Sequence, residues 1–185
     1  EESAHSVEVT LSIQSDEKTL KIWPFDFNLE CRFIFGDSLK IELKTQNLST
    51  EVMHFSQALH SYFPTADIKN TKVVATEKQV YIDALDDWKR KQQTTAIQFN
   101  QETDRIYFGK AHYQIYTPQN TITVTSNSSS SVIWNPWIDK SKRLSQFNSN
   151  AYQDMLCIES ANVVDDAVSL QSGDSHTLKV DISRY

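Results

Sequence analysis

Glycine, proline and cysteine are scarce in this sequence, and each scarcity narrows the possible folds. The 185 residues include three glycines, four prolines and two cysteines. The turns must therefore depend on Asn, Asp and Ser, which are frequent between the apolar runs. Cys31 and Cys157 both lie inside apolar runs, which indicates small buried side chains rather than a disulfide framework. This cysteine usage favours a reducing, cytoplasmic setting.

Positive charge and long apolar segments are also in short supply. The formal net charge is −6, and an acidic chain is poorly suited to a nucleic-acid backbone or to an anionic membrane. No apolar stretch approaches the ~20 residues that a membrane span requires. We therefore predict neither nucleic-acid nor membrane binding, and no particular oligomeric state. A small phosphorylated ligand remains possible, since it needs only a few local cations.

Several motifs with known chemistry are absent from the sequence. It contains no glycine-rich phosphate loop, no serine nucleophile elbow, no CxxC pair and no HxxxH pair. His54 and His60 lie six residues apart and would share a face of a strand, but no third ligand at a suitable spacing completes a zinc site. We predict no metal site and no cofactor.

The dominant pattern is the alternation of apolar and polar residues that is typical of half-buried strands. Val7, Val9, Leu11 and Ile13 begin it, and similar short runs separated by polar turns continue to the C-terminus. Aromatic residues, which favour strands, make up 11% of the chain. Without any β–α alternation, this pattern predicts an all-β fold, a large antiparallel twisted β-sandwich forming a single domain over residues 1–185.

Five local expectations accompany this fold class. Residues 16–18 are expected to form a turn before a strand through Leu20 and Ile22, which would give about four strands before residue 50. Residues 127–131, rich in serine, suggest the tip of a hairpin, and residues 140–143 a basic loop. Residues 152–159 are predicted to be one strand. Residues 51–63 suit either a strand or a helix.

Three segments place polar side chains among apolar ones. In residues 58–63, His60 is either a hydrogen-bonded core histidine or a catalytic one. In residues 102–107, Asp104 precedes a strand, where a turn cap or a surface ion pair is the ordinary interpretation. In residues 155–161, Glu159 ends an apolar run, and a carboxylate in that position must be paired or functional because its unpaired burial is costly.

Five segments in this order resemble the aldose 1-epimerase-like superfamily, and within it the hexose-6-phosphate mutarotase branch. They cover nearly the whole chain from near residue 5: Trp23-Pro24-Phe25-Asp26-Phe27, Ala58-Leu59-His60-Ser61-Tyr62-Phe63, Thr103-Asp104-Arg105-Ile106-Tyr107, Val132-Ile133-Trp134-Asn135-Pro136-Trp137 and Cys157-Ile158-Glu159-Ser160-Ala161. The chain resembles roughly the C-terminal two-thirds of such a protein.

The resemblance implies a twisted β-sandwich that binds its sugar in a cleft on one concave face. It implies that His60 and Glu159 are the catalytic pair and that Asp104 hydrogen-bonds sugar hydroxyls. Residues 134–137 are interpreted as structural, with Pro136 ending a strand and the tryptophans filling a core edge. The arginines that would grip a phosphate belong to earlier strands of the family and match no residue of this chain.

The function that follows is the interconversion of the α and β anomers of a hexose 6-phosphate. Glu159 would remove the proton from the C1 hydroxyl and His60 would protonate the ring oxygen, from opposite sides of the bond. Three alternatives remain open: a non-catalytic carbohydrate-binding sandwich, an epimerase for an unphosphorylated aldose, and a structural protein in which both residues are satisfied in the core.

Overall fold

Two large antiparallel sheets lie face to face in a computed structural model that describes residues 6–75 and 79–185. Every strand pairing within these residues is antiparallel. The sequence therefore predicted the fold class correctly, and the many short strands with polar turns are the reason.

The first sheet has eight strands among the described residues, in this spatial order: β1 (Val7–Gln14), β2 (Phe27–Phe35), β3 (Leu39–Asn47), β17 (Ser175–Arg184), β13 (Thr121–Ser126), β12 (His112–Tyr116), β7 (Lys72–Val74) and β10 (Ile97–Gln98). The second sheet, counted over the same residues, has seven: β5 (Gln57–Leu59), β15 (Met155–Asn162), β14 (Ser130–Asn135), β11 (Thr103–Phe108), β8 (Val80–Asp83) and β9 (Lys89–Gln92), with β6 (Tyr62–Pro64) also paired to β15.

Smaller elements complete the described part of the chain. β4 (Met53–Phe55) pairs with β16 (Val168–Leu170). Helix α1 spans Glu17–Leu20 and helix α2 spans Trp137–Arg143, while 3₁₀ helices cover Ile68–Asn70, Ala151–Asp154 and Val164–Asp166. No helix within the described ranges is long and apolar enough to cross a membrane.

The hydrophobic core fills the space between the two sheets. Tyr113 and Ile115 from β12 meet Ile133, Leu156 and Ile158 from the second sheet, and all five are at most 1% exposed. On β14 and β15 the alternate residues therefore point to the opposite, outer face of the second sheet. This alternation decides where the candidate site lies.

Helix α1 replaces the turn and strand that were predicted near residue 20. Asp16 Oδ1 accepts hydrogen bonds from the backbone N–H groups of Lys18 and Thr19 at 2.9 and 2.8 Å, and Thr19 Oγ1 accepts one from Asp16 N–H at 2.7 Å. This reciprocal capping box stabilises a short helix. Between residues 6 and 50 the structure therefore has three strands rather than about four.

The serine-rich segment is a crossover between the sheets and not a hairpin tip. It leaves β13 in the first sheet and enters β14 in the second. Asn127 bonds to β17, donating to Thr177 C=O at 2.9 Å and accepting from Lys179 N–H at 2.7 Å. Ser129 N–H donates to Asp166 at 2.9 Å. These long-range partners, which local composition does not reveal, direct the chain across.

Asn135 fixes the region in which a basic loop was expected. Its amide nitrogen donates to the backbone carbonyls of Tyr152 and Met155 at 2.9 and 2.8 Å, and its side-chain oxygen accepts from Trp137 N–H at 2.9 Å. Pro136 ends β14 as predicted, and the chain then turns into helix α2, which includes Lys140. Residues 151–154 are likewise a 3₁₀ helix rather than the start of the predicted strand, so β15 begins at Met155.

Candidate active site

The candidate site lies on the outer face of the second sheet. Leu156 and Ile158 of β15 face the core, so the neighbouring Glu159 points outward. Tyr107 of β11 also faces the core, so Asp104 shares the outer face with Glu159. All three residues predicted for the site therefore belong to one surface, since His60 reaches the same face from the sheet edge.

A kink between β5 and β6 directs His60 toward Glu159. Both short strands pair with β15, through Leu59 opposite Ser160 and Tyr62 opposite Cys157. Ser61 N–H donates to Leu59 C=O at 2.9 Å, which closes a tight turn around His60. His60 Nε2 thereby lies 3.3 Å from Glu159 Oε1. The ambiguous residues 51–63 are thus three short strands with the histidine at one of their breaks.

The two side chains differ in their access to solvent. The imidazole of His60 is 47% exposed, whereas the carboxylate of Glu159 is only 12% exposed. Burial raises the pKa of Glu159 above its ordinary value, the nearby His60 charge opposes that rise, and the negative charge of Asp104 adds to it. A buried carboxylate with a raised pKa is a stronger base than one in water, as general-base chemistry requires.

Asp104 lies across the face from His60 and Glu159. It is opposite Trp134 in the register of β11 and β14, and Trp134 is in turn opposite Cys157. Asp104 is therefore two strand spacings from β15, about 10 Å, which is the scale of a sugar ring with its hydroxyls. Burial raises the pKa of Asp104, the positive charge of Lys140 opposes this, and Asp83 adds to it.

Two aromatic residues that sequence reasoning left out surround His60. The ring of Tyr62 stacks on the imidazole, with centroids 4.8 Å apart and an interplanar angle of 15°. The indole of Trp134 stands edge-on to the same imidazole at 5.8 Å. Trp134 was interpreted as core-edge packing, which is wrong for this residue but right for Trp137, which packs against the core and contacts Tyr152 at 5.3 Å.

Lys140 is a third residue that the sequence did not single out. Its ammonium group ion-pairs with Glu102 at 3.8 Å, and its positive charge acts to lower the pKa of Asp104. Lys140 therefore lies near the Asp104 side of the face. Residues 140–143 were predicted to be a loop, and a loop does not fix the direction of its side chains. Only the helix that carries Lys140 shows which face the lysine lies near. The positive charge of Lys140 therefore lies near Asp104, at the end of the face away from the Glu159 carboxylate.

Comparison with known sequences identifies the family of this chain. The profile of the family described as aldose 1-epimerase matches residues 1–183. The chain belongs to the aldose 1-epimerase family. Within this family it is similar to a protein of Cenchrus ciliaris with the provisional name glucose-6-phosphate 1-epimerase, with 32% identity over 95% of this chain and 56% of the relative. A Salmonella typhimurium protein with the same provisional name is 33% identical over 85% of this chain and 54% of its own length.

Solved structures of the aldose 1-epimerase family give the same result at the level of the fold. A provisionally named mutarotase from Salmonella typhimurium superposes with a TM-score of 0.88 at 29% identity, covering 97% of this chain and 60% of that one. The chain therefore spans a little over half the length of the relatives that it matches. This partial coverage fits the interpretation that it corresponds to the C-terminal part of such a protein.

Proposed function

We propose that this chain carries the catalytic face of a hexose-6-phosphate mutarotase, with Glu159 as base, His60 as acid and Asp104 as a ligand of the sugar hydroxyls. The observation that supports this proposal best is the 3.3 Å separation between His60 Nε2 and Glu159 Oε1 at the edge of an open sheet face. An acid and a base this close suit a hemiacetal, whose C1 hydroxyl and ring oxygen are bonded to the same carbon.

The reaction requires two proton transfers in each direction. Glu159 removes the proton from the C1 hydroxyl, and the electrons of that O–H bond form the carbonyl. The bond between C1 and the ring oxygen breaks, and its electron pair takes a proton from His60. Rotation about C1–C2 then exposes the other face of the aldehyde, and the reverse transfers close the ring as the opposite anomer. Each group supplies on the order of 10²–10⁴ in rate.

In this proposal His60 and Glu159 act from one side of the sugar. The sequence analysis had placed them on opposite sides of the bond. His60 and Glu159 are neighbours at the same sheet edge, so the anomeric centre must sit above both of them. Asp104, about 10 Å away, is then placed for hydroxyls at the far side of the ring. Trp134 lies between these two ends in the strand register, where an aromatic ring can pack against the sugar.

Phosphate at the sugar's C6 is the finer part of the proposal. The relatives with the provisional name glucose-6-phosphate 1-epimerase favour it. Lys140 provides a cation near Asp104, at the end of the face away from Glu159. A single lysine attracts a phosphate as a point charge without the bidentate geometry of arginine. Its contribution is therefore to orient the phosphorylated end and not to bind it tightly.

A cytoplasmic setting belongs with this proposal. Cys31 and Cys157 are both free, with Cys157 buried and Cys31 half-buried. Free cysteines are common where glutathione and thioredoxin keep thiols reduced, which is also the compartment in which sugar phosphates are used.

The test is magnetisation-exchange NMR of glucose 6-phosphate anomers with the intact protein and with His60→Asn and Glu159→Gln. We expect exchange faster than in buffer, reduced at least about 10²-fold in each variant. Circular dichroism checks that the variants stay folded. If the intact protein binds the sugar but leaves exchange at the buffer rate, the chain is a carbohydrate-binding sandwich and not an enzyme. Selection of glucose over glucose 6-phosphate would assign it to unphosphorylated aldoses.

A further inference from the structure

A buried asparagine at the end of β15 joins four elements of the fold. Asn162 is 4% exposed, and its side-chain oxygen lies 2.9 Å from Gln57 Nε2 and 3.0 Å from His176 Nε2. Its amide nitrogen lies 2.9 Å from Asp166 Oδ2. The four side chains come from β5, β15, β17 and the 3₁₀ helix Val164–Asp166. We call them the Asn162 cluster.

The orientation of Asn162 fixes the direction of each hydrogen bond in the cluster. Its amide nitrogen faces Asp166, because a carboxylate accepts hydrogen bonds and an amide NH₂ group donates them. Asp166 also accepts from the backbone N–H of Ser129 at 2.9 Å, so the carboxylate is held from two directions. The Asn162 oxygen then faces Gln57 and His176, and both donate to it. His176 therefore carries a hydrogen on Nε2, and protonation of its imidazole leaves this donor in place.

The cluster holds the strand that leads to His60. Gln57 is opposite Asn162 in the register of β5 and β15, and Leu59, the last residue of β5, is opposite Ser160. The next residue along the chain is His60. Because β5 has only three residues, its backbone ladder is short. The side-chain bond from Gln57 to Asn162 therefore adds a substantial share of the polar contacts that fix this strand.

His176 ties the same edge to the first sheet. Leu178 and Val180 of β17 point into the core, so His176 shares their face and is directed toward the second sheet. Its bond to Asn162 bridges the two sheets at the end of β15. Glu159 lies on the same strand, three residues before Asn162. The strand of Glu159 and the strand that leads to the histidine of the site thus share one anchor.

We propose that Asn162 is a positioning residue for anomer exchange, which holds β5 through Gln57 and so keeps His60 Nε2 within reach of Glu159. His176 and Asp166 orient the Asn162 amide for this contact. The inference rests on the roles proposed above for His60 and Glu159. Its physical basis is that a small displacement of a catalytic group is costly, and the two groups are only 3.3 Å apart.

The first experiment compares Gln57→Met with the matched control Gln114→Met. Each change removes one side-chain hydrogen bond of a half-buried glutamine: the bond from Gln57 to Asn162, or the bond that Gln114 accepts from Tyr116 OH at 2.6 Å in the first sheet. We expect Gln57→Met to speed amide hydrogen exchange in β5 at least about tenfold. Its kcat for glucose 6-phosphate anomer exchange should fall about tenfold with little change in KM. Gln114→Met should leave all three at wild-type values.

The second readout is the titration of the Glu159 carboxyl, followed by ¹³C NMR. Burial raises the pKa of Glu159, and the charge of His60 opposes that rise. Gln57→Met should therefore raise this pKa further, because the imidazole moves away. Asp104, whose charge also raises the pKa, lies on β11 and has no bond to the cluster. The control Gln114→Met should titrate like the wild type.

The titration and the β5 amide exchange need no catalysis, so they separate the two proposals. If the intact protein leaves anomer exchange at the buffer rate, the proposed function fails, and these two measurements still decide whether the cluster holds His60 beside Glu159. If the intact protein is active and Gln57→Met keeps its full rate, the positioning role of Asn162 fails alone.

His176 provides a rescue test of the cluster. His176→Gln retains an N–H donor for Asn162, whereas His176→Leu removes it. The Leu variant should reproduce the losses of Gln57→Met, and the Gln variant should recover most of the rate, with circular dichroism to check folding. Two results would overturn the proposal: equal behaviour of the two His176 variants, or wild-type β5 exchange and Glu159 titration in Gln57→Met.

Discussion

His60 Nε2 lies 3.3 Å from Glu159 Oε1, although the two residues are 99 positions apart in the sequence. The contact depends on the turn between β5 and β6 and on the pairing of both strands with β15. It joins an exposed imidazole to a nearly buried carboxylate. The difference in burial is the physical basis for giving the two groups different roles in proton transfer.

The first prediction concerns the pH dependence of anomer exchange. As the proposed base, Glu159 acts only when it is deprotonated, and burial raises its pKa, so the rate should fall on acidification at a pH above the ordinary range of glutamate. Asp104→Asn should move this fall to lower pH, because the charge of Asp104 contributes to the raised pKa. Magnetisation exchange measured across pH checks both positions, and a fall that Asp104→Asn leaves in place would contradict the coupling.

The raised pKa of Glu159 should also make the stability of the fold depend on pH. Stability should fall as pH rises, whereas the exchange rate should rise. Because the folded-state pKa of Glu159 is raised, the folded protein binds more protons than the unfolded chain between the ordinary pKa and the raised one. Stability contributed by the protonated form is therefore lost as pH rises through that window. Glu159→Gln should be at least as stable as the wild type at neutral pH, with the advantage disappearing in acid. Urea unfolding at neutral and at acidic pH tests this. The control is Glu51→Gln, at an exposed position.

Tyr62 should position His60 through its ring and not through its hydroxyl. The stacked geometry at 4.8 Å requires a flat side chain, so Tyr62→Phe should keep nearly the wild-type exchange rate. Tyr62→Leu should lower the rate about tenfold or more, because small displacements of a catalytic group are costly. The KM for the sugar should change little in either the Phe or the Leu variant. Equal losses in Phe and Leu would assign the effect to the hydroxyl instead.

Lys140 should distinguish phosphorylated from free sugar. Lys140→Gln is expected to raise KM for glucose 6-phosphate roughly fivefold, the effect of about 1 kcal/mol for one partly exposed charge, and to leave KM for glucose unchanged. The control is Lys142→Gln on the same helix, which pairs with Asp139 at 3.8 Å. If both variants behave alike, the charge near Asp104 is not specific to the phosphate.

Asn135 should be essential for stability. It is 0% exposed and makes the three backbone hydrogen bonds that join β14, α2 and the start of β15. Asn135→Ala should destabilise the fold by about 2–4 kcal/mol, because two buried carbonyls and one part-buried N–H lose their partner. Asn100→Ala, at an exposed position, should change stability by less than about 0.5 kcal/mol. Chemical denaturation of both variants provides the comparison.

The sequence by itself determined the fold class and singled out three candidate site residues. The alternation of Val7, Val9, Leu11 and Ile13 with polar residues has the period of two that is typical of a half-buried β-strand. Similar runs along the chain therefore indicated antiparallel strands. His60, Asp104 and Glu159 were named from polar residues set among apolar ones and from the resemblance of five ordered segments. Their placement on one face agrees with that selection, while their roles remain proposals.

Tertiary structure decided everything that depends on a partner distant in the chain. The crossover at residues 127–131 follows from bonds to β17 and to Asp166, and local composition cannot contain those partners. Tyr62, Trp134 and Lys140 joined the site only because strand register and helix direction bring them to it. The same holds for Val7, Val9, Leu11 and Ile13: the alternation predicted one apolar face of β1, but only the tertiary structure shows that these four side chains are exposed.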